Sequence, residues 1–108
     1  MTDPLPTLAD VRAPLLALRV LVAEFPGLPA GTVRVSDVYP DRLDVSLHEG
    51  LDTFEAWREA LGIAPGLVTC GTQNAGDTWV LKAFSDYAGA RVCLTGFAAV
   101  AAPTGGAA

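Results

Sequence analysis

The sequence predicts an α+β domain: helix, β-hairpin, helix, then a three-stranded meander, with five strands in one antiparallel sheet and two helices packed on it. Three observations carry that expectation. Apolar residues recur at spacings of three and four from Leu8 to Phe25, and again from Phe54 to Leu61, as on one face of a helix. Between these segments, apolar and polar residues alternate over 32–38 and 43–48, the period of strands with one wet face. Three further strand-like runs close the chain, parted by the turn sequences "NAGD" and "DYAG".

Thr7, with Asp10 three residues later, has the form of a capping box at the start of the first helix. Leu8, Val11, Leu15, Leu18, Val22 and Phe25 make its main stripe. Pro14 lacks a backbone donor and is expected to kink the helix or restart it near Ala13. Leu16, Val20 and Leu21 lie off the stripe, so this helix is apolar on more than one side and one small sheet cannot cover it all. Pro26 and Gly27 end it.

In the hairpin, Val33 and Val35 share one face; after the turn "YPDR", Leu43, Val45 and Leu47 point inward and Asp44, Ser46 and His48 outward. Asp52 or Thr53 is expected to cap the second helix, with Glu55 supporting the cap, Phe54, Trp57 and Leu61 facing the core, and Arg58 and Glu59 on the wet side. Gly62 suits a left-handed C-terminal cap that Ile63 closes, and Pro65 prevents continuation. The last three strands are expected over 67–73, 78–85 and 90–98. Trp79, Leu81 and Ala83 read as core, while Val80 and Phe84 make the same strand apolar on its other side too. Residues 1–100 form the expected domain and 101–108 an Ala/Gly tail.

Composition narrows the function classes. With 108 residues, of which 51% are hydrophobic and 18% charged, the chain has room for one core and no separate cofactor domain. Seven basic residues face twelve acidic ones, and six arginines and one lysine are scattered singly along the sequence. That argues against direct nucleic-acid binding and for a basic protein partner. The N-terminal sequence lacks the pattern of a signal peptide, and no apolar run approaches the eighteen or so residues of a membrane span, so a cytoplasmic protein without membrane contact is expected. Cys70 and Cys93, with no CxxC pair, read as two reduced thiols rather than zinc ligands. No cofactor is expected.

The segment "VSLHEGLDTFEAWREALGI" holds the only histidine, His48, beside several carboxylates. Asp44 lies four residues along the same strand, about 13 Å away and out of hydrogen-bond reach. Neither nucleophile nor second metal ligand is near, so the crowding reads as a helix start and no catalytic residue is assigned.

This segment and "DTWVLKAFSDYAGARVCLTGF" resemble those of small uncharacterised actinobacterial proteins, often carried on mobile or phage-like elements. The resemblance spans Val45 to Phe97 and rests on Phe54, Ala56, Trp57, Leu61, Trp79, Gly89 and Phe97. Eighteen alanines and the preference for arginine over lysine agree with a GC-rich genome. It implies a host class and a fold, not an activity. The order of elements is also similar to the opening of roadblock/longin-like and profilin-like scaffolds, a topological likeness alone.

Two functional expectations follow. The first is a small non-enzymatic interaction protein, an adaptor, regulator or inhibitor, homodimeric through Leu16, Leu18, Val20 and Leu21 on the first helix. The second is a small-molecule-binding domain or minimal enzyme with a pocket between sheet and helix lined by Trp57, Trp79, Tyr87 and Phe97.

Overall fold

Pro14 decides how the chain enters its first helix. In the computed structural model, which describes residues 6–73 and 76–99, a 3-10 turn over Leu8–Val11 precedes helix α1, Arg12–Glu24. Pro14 falls in the first turn of α1, where a backbone donor has no intrahelical partner to lose. The Thr7 backbone N–H donates to the Asp10 carboxylate at 2.8 Å, the reciprocal half of the expected capping box.

Strands β1, Thr32–Val35, and β2, Arg42–Leu47, pair antiparallel. Helix α2, Leu51–Ala60, follows, and its start corrects the expected cap: the N-cap is Gly50 at φ 104, with no side-chain cap. Asp52 and Thr53 already lie inside the first turn, and the Thr53 hydroxyl donates back to the Gly50 carbonyl at 2.9 Å. A left-handed turn that only glycine enters easily has replaced the side-chain cap. At the other end Gly62, at φ 71, bonds to the Glu59 carbonyl and Ile63 to that of Arg58, a Schellman motif closed by the buried Ile63. Arg58 is a second correction. Expected on the wet side, it is buried, donating to the Ile63 carbonyl at 2.7 Å and through Nε and Nη2 to Glu55. Glu55 therefore serves Arg58 rather than the helix start, and these hydrogen bonds hold its carboxyl below the usual range.

Strands β3, Thr69–Gln73, β4, Thr78–Tyr87, and β5, Ala90–Ala99, complete a five-stranded sheet of order β1-β2-β5-β4-β3. The sheet is mixed, not antiparallel throughout, because β2 and β5 run parallel. Parallel neighbours require a long crossover, supplied here by α2, β3 and β4. Alternation of residue types shows which face a strand buries but not the direction of its neighbour.

Both helices lie on one face of the sheet. Leu43, Val45 and Leu47 of β2, Val92 and Leu94 of β5, and Ala83 of β4 bury against Leu21 of α1, Phe54 and Trp57 of α2, and Leu61 just past its end. Gly96 gives Phe54 its place: a Cβ there would stand 2.7 Å from the ring. The helices stop short of one end of the sheet. Every residue of β3 is exposed, and Trp79 is only partly covered, in place of the core position expected for it. Among the described residues, no helix is long and apolar enough to cross a membrane. Residues 101–108 lie outside the described residues.

Candidate interaction surfaces

Helix α1 turns an unexpected side to the sheet. Its buried residues are Pro14, Ala17 and Leu21, not the main apolar stripe. Two of the three are small, so the helix axis comes close to the strands. The stripe is rolled to one flank. There Val11 is buried and Leu18 and Phe25 are partly buried, whereas Leu8, Leu15 and Val22 remain 78%, 39% and 63% exposed. These six residues have the 3,4 spacing of a coiled-coil seam.

The flank borders β1 along its length. A groove of about 250 Å³ lies between Leu18, Val22 and Phe25 on one side and Gly31 and Val33 on the other, with Trp57 at its base. The Trp57 indole N–H donates to the Pro29 carbonyl at 2.8 Å and fixes the loop that forms the far wall. A second, more open groove of about 440 Å³ continues past Leu8, Val11 and Leu15 to Val35 and Asp37. Beyond α1, the Tyr87 hydroxyl donates to Glu24, tying the helix end to β4; that bond, with burial, raises the Tyr87 pKa.

The four residues proposed from sequence for the helix interface divide. Leu21 is 2% exposed and belongs to the core, which removes it from any surface. Leu18 is partly buried and lines the groove, Val20 is partly buried, and Leu16 is exposed on the side away from the sheet. Leu15 and Val22, read from sequence as part of the main stripe, are exposed instead. Their spacing was plain, but a regular apolar stripe reads as core until the closer fit of Pro14 and Ala17 is known.

The proposed aromatic pocket does not assemble. Trp57 is core, Trp79 and Tyr87 stand at opposite ends of β4, and Phe97 points from β5 to the sheet face without helices. On that open face His48 stacks on Phe97, with ring centroids 4.7 Å apart and planes 2° from parallel. Cys93 is buried there between Asp44 and Phe84, its register partners on β2 and β5's other neighbour β4. Burial pushes its thiol pKa up, as does Asp44, against the opposing pull of Arg42. Cys70 lies on the edge strand β3, and both thiols are free. Among the described residues, no three His, Cys, Asp or Glu side chains converge as metal ligands.

No protein-family model, curated protein or solved structure matches the chain.

Proposed function

We propose that this chain is a small non-enzymatic interaction protein that forms a homodimer through the outer flank of α1 and the adjoining β1 edge. The observation that supports this most is the apolar seam of Leu8, Leu15 and Val22 left outside the core beside two grooves. A contiguous apolar strip of this kind on a monomer marks a contact surface. Its regular seam spacing suits a second helix, and a two-fold axis brings the same seam from a second copy. Arg12 and Arg19 lie on α1 while Asp37 borders the second groove, so each copy carries both signs of charge for the other.

Magnitudes favour a modest affinity. Burying a Leu or Val side chain completely stabilises by ~1.5–3 kcal/mol, so half-exposed residues contribute on the order of 1 kcal/mol each. Leu8, Leu15, Val22 and Val33, counted in both copies, then supply on the order of 8 kcal/mol against an association cost of ~4–15 kcal/mol. A weak dimer, in the millimolar range at best, is the expected result. The groove over Trp57, at about 250 Å³, is smaller than the ~300–1,000 Å³ of ordinary ligand pockets, which suits an inserted side chain better than a small molecule.

Hydrogen exchange at two protein concentrations tests the reading. Protection over 8–25 and 32–35 should rise with concentration, while 69–73 on the opposite edge should not change. A rise confined to 69–73 would place the contact on the β3 edge instead, and no change anywhere would remove the homodimer.

A further inference from the structure

We propose that the open sheet face is a second docking site, for a short acidic segment of a partner protein. The inference does not depend on the homodimer. Register places Arg34, Arg42, Lys82 and Arg91 on this face, four of the seven basic residues in the chain. Only Asp44 and Asp86, of twelve acidic residues, occupy strand positions among them. The rest of the chain is left with three cations and ten carboxylates. Folding thus collects a positive face on a molecule that is negative as a whole, and the charges scattered through the sequence converge.

The cations are arranged for carboxylates. Arg42 and Arg91 are register partners on adjacent strands, which puts their Cα atoms about 4.8 Å apart. Like charges placed side by side repel, and Asp44, bonded to Arg42, and Asp86, opposite Arg91 in register, are two carboxylates against four cations on this face. Each guanidinium rests over a ring, Arg42 4.9 Å from the Tyr39 centroid and Arg91 5.3 Å from that of Phe84. A guanidinium held over a ring keeps its N–H donors for a planar anion, and a carboxylate can take two of them. Arg42 gives its Nε–H to Asp44 at 2.7 Å; among the described residues, Arg34, Lys82 and Arg91 donate no side-chain hydrogen bond. Phe84, 43% exposed, and the His48–Phe97 stack supply apolar contact beside the charges.

The reach of the face favours a short peptide over nucleic acid. Five strands span roughly 20–25 Å. A polyanion longer than that runs off the rim onto a surface rich in carboxylates, whereas a short acidic segment ends within the positive area.

Fluorescence anisotropy tests this with two labelled probes, an octapeptide of alternating glutamate and tyrosine and an octathymidylate, against wild type and the Lys82→Glu/Arg91→Glu double variant. The expected result is salt-sensitive peptide binding to wild type, at least about tenfold weaker in the double variant, with the oligonucleotide binding more weakly than the peptide. Should the double variant fail to fold by circular dichroism, Arg34→Glu on the exposed edge strand β1 takes its place, with weakened peptide binding expected. Tighter binding of the oligonucleotide would overturn the acidic-peptide assignment in favour of nucleic acid. Absence of peptide binding, or binding unaffected by the substitutions, would overturn the site.

Discussion

The two sides of α1 are both apolar, yet only one is core. Pro14, Ala17 and Leu21 face the sheet; Leu15 and Val22, with Leu8 on the 3-10 turn before the helix, are more regularly spaced and face outward beside β1. The difference shows that close approach, not apolar bulk, chose the packing side. A proline and an alanine let the helix lie down on β2 and β5, and the bulky seam was carried round to the flank. Residues with no work in the monomer core are the ones free for a partner.

Truncation should separate the two sides most sharply. Leu21→Ala is expected to cost about 2–5 kcal/mol by leaving a cavity, while Leu15→Ala should cost less than about 1 kcal/mol in the monomer, both read from urea unfolding at low protein concentration. Equal losses would mean that the seam is core after all. Next in size is Gly96→Ala, which drives a methyl group into Phe54 and should cost about 1–3 kcal/mol. An unchanged midpoint would show that α2 shifts freely over the sheet.

A smaller effect concerns the β4–β5 turn. Ala88 and Gly89, at φ 49 and 87, both adopt left-handed backbone between the paired residues Tyr87 and Ala90. Asparagine tolerates that conformation better than alanine, so Ala88→Asn should stabilise by about 0.5–1 kcal/mol. Smallest is the acid response of Glu55, whose carboxyl is held low by hydrogen bonds from Arg58. Its contribution is fully present above the unfolded value of about 4.3 and is lost as pH falls through the lower folded value. Glu55→Gln should therefore flatten part of the stability loss below about pH 4, measured by urea midpoints across that range. The wild-type slope persisting in the variant would assign the acid response elsewhere.

Much of the fold was legible because the periods of three to four and of two are local. They located both helices and all five strands, and Gly62, Ile63 and Pro65 announced the end of α2. The parallel β2–β5 pair was not legible, since it joins strands more than forty residues apart and leaves no mark on either. Gly50 was missed as a cap because its role depends on backbone angle, and Arg58 because its long side chain turns back to the Ile63 carbonyl. The proposed interaction surfaces were hidden in the same way. The seam was visible as spacing but not as surface, and Arg34, Arg42, Lys82 and Arg91 become neighbours only through strand register.

Solution mass by static light scattering over a concentration series that reaches the millimolar range, on wild type, Leu15→Glu and Leu16→Glu together, tests the account most directly. Leu16 is exposed on α1 away from the groove and serves as the control. Wild type and Leu16→Glu should show concentration-dependent dimer, and Leu15→Glu should remain a folded monomer. A wild-type monomer at every concentration, or a dimer that Leu15→Glu leaves intact, would contradict the claim that the outer seam of α1 joins two copies.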